Sequence, residues 1–477
     1  LALRADAYLQ DARVAHLDHY LSLAETAAAH LTGPDQGRWL DRLDADQANL
    51  RRAGEHAAGD PDGTALVLRL GVALYRHSIV RSRQQQALEL LVPAVRRPDA
   101  DAYPALFAAA LVTAALTACW VDIGAARRLA EQAVQVSRQL GDDSLLSRGL
   151  AALCTACHFA GERETGQRFG QESVERARRL GDEVLLAESL AHYILTVDPA
   201  RSPQVVGEAI ACTERSGDHL YNCLLHNNAG IHALIIGNIP AARAHLEAVA
   251  HPAQQIGWES AELPANLGLA LRAEGDLGGA RSMFEASLRV SRRNGDSRGM
   301  AYGMLYLACV TGDLGDWDRA SVLHGSVQAF QDRAGIPWDE FDARHHQDSL
   351  AQARARMGDE QLDRAYAQGM ALSLEQALDL ALSSEAGSRD RDHAAARAAH
   401  CTPAEGPAGP LSAREREIIA LLAGGASNTK IAQTLFVTPN TVRTHLDRIR
   451  DKTGARNRAE LTRYAIQAGI EPVVPSR

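Results

Sequence analysis

In the stretch SNTKIAQTLFVTPNTVRTHL, residues 427–446, the side chains with chemistry to offer are Asn440, Arg443 and Thr444. Arginine presents paired N–H donors, asparagine a donor beside an acceptor, and threonine a hydroxyl and a methyl group. Those groups can read base edges in the major groove of DNA, which is wide enough to admit a helix. Val442, Leu446 and Ile449 recur at helical spacing and claim the inner face of that helix, with His445 near its edge as a packing residue. Asn440, Arg443, Thr444 and Asp447 are therefore expected to point away from it.

The surrounding elements must hold that helix. Thr438 is placed to cap it and Pro439 occupies its first turn. Before it comes a short helix with Ile431, Ala432 and Leu435 inward, then a turn at Phe436 and Val437; Ala432 is small enough for the two helices to cross closely. Upstream, LSAREREIIALL opens with Ser412 and Glu415 as a capping box, carries Ile418, Ile419, Leu421 and Leu422, and stops at Gly424 and Gly425. A last helix starts at Asn457, with Glu460 three residues on. It runs through Leu461, Tyr464, Ala465 and Ala468 and ends at Gly469. Residues 411–470 carry ten Lys/Arg against five Asp/Glu, whereas the whole chain has a net charge of −9. One basic module on an acidic chain is the footprint of a part that meets a polyanion.

In order and spacing, LSAREREIIALL, SNTKIAQTLFVTPNTVRTHLDRI and ARNRAEL resemble the LuxR-type helix-turn-helix. The resemblance implies that Lys430, Thr438 and Thr441 touch DNA phosphates. It implies that Arg443, Thr444 and Asn440 read bases, and that the final helix, through Leu461, Tyr464, Ala465 and Ala468, pairs two modules in a homodimer on double-stranded DNA. Members often carry Lys or Arg where this chain has Asp447, so no contact is carried over there.

The body of the chain is punctuated differently. Glycine follows helical patterns at 141, 181, 217, 257, 295 and 335, as in QLGDD and RLGDE; a second series falls between, at Gly161, Pro199, Gly237, Gly275, Gly315 and Gly358. The spacing, 36 to 40 residues in one series and 38 to 43 in the other, predicts an array of helical hairpins. Glycine closes each helix in the left-handed conformation and the next residue, often Asp, caps the following one. One hairpin cannot bury its apolar side, so neighbours must stack into a superhelix with an extended concave surface. Residues 266–288, NLGLALRAEGDLGGARSMFEASL, resemble the tetratricopeptide repeat, with Leu267, Gly268, Gly275, Ala280 and Phe284 at motif positions. Pro264 and Arg292 depart from the motif, and the period exceeds its usual length.

The expected fold is all-α: a tetratricopeptide-like α-solenoid followed by a four-helix LuxR-type domain. The expected divisions are a helical connector over 1–60, repeats over 61–383, a linker over 384–410 rich in Gly, Pro, Ser and charge, the helix-turn-helix module over 411–470 and a tail over 471–477. The connector's two amphipathic stripes are expected to find partners in a part preceding Leu1, since the chain begins without Met and reads as a fragment. The 27-residue linker, as a flexible coil, would span about 30 Å. Together, repeats and module resemble the C-terminal part of the large ATP-binding regulators of the LuxR family. That resemblance implies a transcription regulator whose repeats sense a ligand or protein partner, with RNA polymerase a further partner. The alternative is a protein-interaction scaffold that the DNA-binding module only localises.

Other functions find less support in the sequence. No phosphate loop can be built on the two lysines, Lys430 and Lys452, since neither follows a glycine. No cofactor is expected in this chain, ATP belonging to a preceding domain if anywhere. GxSxG, HExxH and paired CxxC motifs are absent, so no enzyme is expected. Cys154 and Cys157 form a lone CxxC, but Leu146, Leu150, Leu153 and Cys157 share one helical stripe, which points to packing. His345 and His346, being consecutive, should face different sides of a helix. Seven cysteines without a paired framework suit a reducing cytoplasm. The uncharged run 102–121 is Ala-dominated and flanked by Asp101 and Asp122, so it reads as a buried helix with no membrane partner.

Overall fold

Glycine decides where the helices of the repeats end. In the computed structural model, described for residues 2–198, 201–334, 338, 340–383, 413–424, 426–427, 430–431, 442, 446, 449, 453, 458–468 and 470, every described glycine of the two series has a positive φ. Gly141, Gly181, Gly217, Gly257 and Gly295 have φ of 60° to 71°, and Gly161, Gly237, Gly275, Gly315 and Gly358 have φ of 74° to 97°. Pro199 and Gly335 lie outside the described residues. At Gly141 a Cβ would meet nothing within 4 Å, so the backbone angle and not crowding calls for glycine there. The aspartate that follows then opens the next helix. Asp142 accepts from the Leu145 N–H at 2.9 Å and Asp182 from those of Val184 and Leu185 at 3.0 Å.

Among the described residues all regular structure is helical. Antiparallel hairpins follow one another, as Ile123–Leu140 with Asp143–Phe159, Arg163–Leu180 with Glu183–Tyr193, and Leu277–Asn294 with Ser297–Asp313. Close approach within a hairpin depends on a missing side chain. A Cβ on Gly268 would stand 2.6 Å from the Phe284 ring, and one on Gly230 at 2.6 Å from Leu246, at the same offset in the preceding repeat. Ala280 and Phe284 are fully buried, as the tetratricopeptide-like pattern of this segment requires. The Ala-rich run becomes the helix Pro104–Ala118, buried from Ala110 onward. Among the described residues no helix is long and apolar enough to cross a membrane.

The first sixty residues depart from expectation. The helices Ala2–His30, Gln36–Ala45 and Gln47–Gly59 find packing partners within this chain. Leu21, Ala24, Leu40, Leu43, Leu50 and Ala53 share a buried core with Leu150, Leu220, Val249 and Ile256. Polar groups close the same seam: Gln36 Nε2 donates to Asp218 Oδ1 at 3.2 Å, Arg76 Nη1 to the same oxygen at 3.0 Å, and Arg81 Nη1 to the Ile256 carbonyl at 2.6 Å. The amphipathic stripes were legible, and they pack largely on one another and on Thr64–Ala73, but one partner, Ala250–Ile256 against Gln36–Ala45, lies well over a hundred residues downstream, beyond the reach of periodicity.

Cys154 and Cys157 are both buried, and burial pushes the Cys154 thiol up to about 12. His345 and His346 do diverge: His345 meets the rings of Tyr306 and Phe341, whereas His346 stacks on Trp338 and sits with its Nδ1 3.0 Å from that of His324.

The chain divides into two units, Leu1–Ser383 and Ser384–Arg477. Residues 384–410 and 471–477, read as linker and tail, lie outside the described residues.

Candidate nucleic-acid interface

The described part of the second unit is built around an apolar centre. The helix Ala413–Ala423 contributes Ile418, Ile419, Leu421 and Leu422, each at most 3% exposed. Its end is closed by two backbone bonds, Gly424 N to Ala420 O at 3.0 Å and Ala426 N to Leu421 O at 3.1 Å. The next helical turn starts at once. Ser427 Oγ accepts from the Lys430 N–H at 3.2 Å and Ser427 O from the Ile431 N–H at 2.9 Å, a serine N-cap. Ile431, Val442, Leu446 and Ile449 are buried in the same cluster, and the last three recur at i, i+4 and i+7, the inner face read from the sequence. Thr453 donates its hydroxyl to the Ile449 carbonyl at 2.7 Å. The helix Arg458–Gln467 packs against Ala413–Ala423 and closes the cluster with Leu461 and Ala465.

Charge stays off this centre. Arg416 and Arg463 are exposed and Lys430 and Glu460 half-buried. Residues 409–465 match the family described as bacterial regulatory proteins, luxR family. The C-terminal segment is a LuxR-family domain. A Mycobacterium bovis protein assigned as an HTH-type transcriptional regulator is 35% identical over 173 residues, 36% of this chain and 18% of that protein. The transcriptional regulatory protein MctR of Rhizobium johnstonii is 44% identical over 61 residues, 13% of this chain and 28% of MctR. The chain thus spans less than a third of the length of either relative. Among solved structures, a signal-transduction ATPase with numerous domains and a tetratricopeptide repeat sensor, from Pyrococcus horikoshii, aligns over 70% of this chain and 54% of its own. The identity there is 13% and the TM-score 0.38.

Of the residues that the sequence assigns to the LuxR-type domain's contacts, Lys430 is at the start of a helical turn, half-buried. Asn440, Arg443, Thr444, Thr438 and Thr441 lie outside the described residues. The four dimerisation candidates divide. Leu461 and Ala465 are fully buried within their own domain, which corrects their assignment as partner contacts, since a side chain spent on the domain's own core has no surface to give. Tyr464 is half-buried against that core and Ala468 is exposed. The apolar periodicity of this helix marked its inner face; an outer face can be found only by asking which positions that period leaves over. Ser427 was missed as a cap because Lys430, not Glu or Gln, stands three residues on, so no capping box flagged it.

Proposed function

We propose that this chain is the DNA-reading and sensing part of a bacterial-type transcriptional regulator. The observation that carries the reading is the match of residues 409–465 to the LuxR family, supported by the burial of Val442, Leu446 and Ile449 on one face of a helix. By the sequence period, that inner face leaves Arg443, Thr444 and Asn440 to read bases, while Lys430, Thr438 and Thr441 hold phosphates. Two such domains pair on an inverted repeat through the surface around Tyr464 and Ala468. RNA polymerase is the further partner at the promoter. The repeat unit is the sensor, and any ATP chemistry belongs to sequence outside this chain, which has no phosphate loop of its own.

Selection of bound fragments from a random duplex pool by the whole chain tests the reading. Enrichment of a two-fold-symmetric sequence, with affinity that falls as salt rises because released counterions drive binding, is the expected result. No enrichment above background at low salt would remove the DNA-binding reading.

A further inference from the structure

Between the N-terminal helices and the repeats lies an open cleft of about 240 Å³, with Leu31, Val72 and Arg76 on one wall and Arg148, Leu185 and Glu188 on the other. Its charged groups are only partly spent on one another. Arg148 Nε donates to Glu188 Oε1 at 2.9 Å, and Arg76 Nη1 donates to the Leu31 carbonyl at 3.1 Å and to Asp218 at 3.0 Å. Among the described residues these hydrogen bonds engage one nitrogen of each guanidinium, and a guanidinium has five N–H donors. The faces of the two guanidiniums lie over the rings of Tyr221 and Tyr75, so their further in-plane donors, with the second oxygen of Glu188, are the groups a ligand would meet.

The signs and shapes of the walls narrow that ligand. Burial works to raise the Glu188 pKa, but Arg148 and Arg76 outweigh it and keep the carboxyl lowered, so the wall offers a true carboxylate beside two cations. A ligand that is only an anion meets Glu188 and the nearby Asp182 unfavourably; one that is only a cation meets the two arginines. A molecule bearing both charges, with an apolar portion against Leu31, Val72 and Leu185, satisfies every wall.

Resting on the reading of the repeat unit as a sensor, we propose that this cleft binds a small zwitterion with an apolar side chain, an α-amino acid or a dipeptide. Arg76 and Arg148 hold its carboxylate and Glu188 its ammonium. Such a ligand bridges the N-terminal helices and the repeats, so it tightens a seam that the protein already makes.

Calorimetric titration of the whole chain with L-leucine, L-phenylalanine and leucine-containing dipeptides tests this. At least one should bind saturably, and the corresponding N-acetylated or amidated analogues, each lacking one charge, should bind about tenfold or more weakly, the loss expected for an unpaired buried charge. Arg148→Gln should weaken binding by a similar factor. Because that change also strips Glu188 of a partner, Ser144→Trp is the companion variant. Ser144 lies exposed on the rim of the cleft, so the tryptophan fills it from there, keeps every charge, and should abolish binding with an unchanged circular dichroism spectrum. No binding by any zwitterion in the series, equal binding by the N-acetylated analogues, or unchanged binding by Ser144→Trp would each overturn the proposal. DNA selection run on the same preparation separates the two readings: operator binding retained without zwitterion binding removes this inference alone.

Discussion

The two units of this chain differ in the charge they bury. In the repeat unit a few ionisable groups are drawn inside: Asp218 is fully buried, Glu188 and Asp342 are 4% exposed, and Arg76 is 8% exposed. In the C-terminal unit the described core is entirely apolar, and the charged residues whose exposure is described stay at the surface or half-buried. Buried pairs cost desolvation and return it only when partners and geometry are complete, so they suit a unit that must hold one arrangement. Surface charge over an apolar core costs the fold little and is available to a polyanion. The difference matches the division of labour proposed for the two units.

Acid should separate them most. Burial lowers His77, His192, His226, His232, His345 and His346 to about 4, below the ordinary histidine value near 6.5. With folded values depressed, the stability of the neutral form is fully present above about pH 6.5 and is lost as pH falls toward 4, because the unfolded chain takes up protons that the folded chain refuses. All six lie in the repeat unit. Hydrogen exchange followed from pH 7.5 to 4.5 should therefore show repeat-unit amides losing protection while those of Ala413–Ala423 change little. Equal losses in both would break the comparison.

Single substitutions come next. Asp218→Ala leaves Arg76 buried without its carboxylate and should cost the repeat unit about 3 to 5 kcal/mol, read as a shift of its urea midpoint. Leu446→Ala empties part of the apolar core and should cost the C-terminal unit about 3 kcal/mol. Each loss should stay within its own unit, as unit-resolved exchange would show. Of intermediate size is the DNA effect. Arg443→Ala should cost about 1 to 3 kcal/mol at the preferred operator and relax one base position, whereas Lys430→Ala should weaken all sequences alike. Equal loss on every sequence for both variants would remove Arg443 from the readers.

What the sequence made legible follows the same division. Gly141, Gly181 and the aspartates after them could be read directly, since a left-handed turn and a side-chain cap are local events between neighbours. Val442, Leu446 and Ile449 were legible because one short helix carries its own period. Asp218 was not: its role depends on Gln36 and Arg76, 182 and 142 residues away, and nothing in residues 214–222 marks it apart from the other aspartates that follow a glycine. The cleft beside Arg148 and Glu188 was invisible for the same reason, its two walls belonging to distant segments. The candidates for a dimer surface were half-sorted, because the period that identified the last helix also swept in Leu461 and Ala465, which face inward.

The smallest expected effects test whether local signals or packing set the ends of the helices. Gly141→Ala places a Cβ in open space but at φ 68°, so its cost should be the left-handed penalty alone, about 1 to 2 kcal/mol. Asp142→Ala removes one cap bond and should cost about 1 kcal/mol. Ser427→Ala is the counterpart in the C-terminal unit, where the bond to the Lys430 N–H at 3.2 Å should also be worth about 1 kcal/mol. The helix after Asp142 is held on several sides by stacked hairpins, whereas, among the described residues, the turn after Ser427 is held by Ile431 in a small core. The same lost bond should therefore leave the repeat helix in place and fray the C-terminal turn, with faster amide exchange at Lys430 and Ile431 than at Leu145 and Leu146. Exchange rates raised equally at both sites would mean that stacking gives the repeat helices no protection beyond their caps.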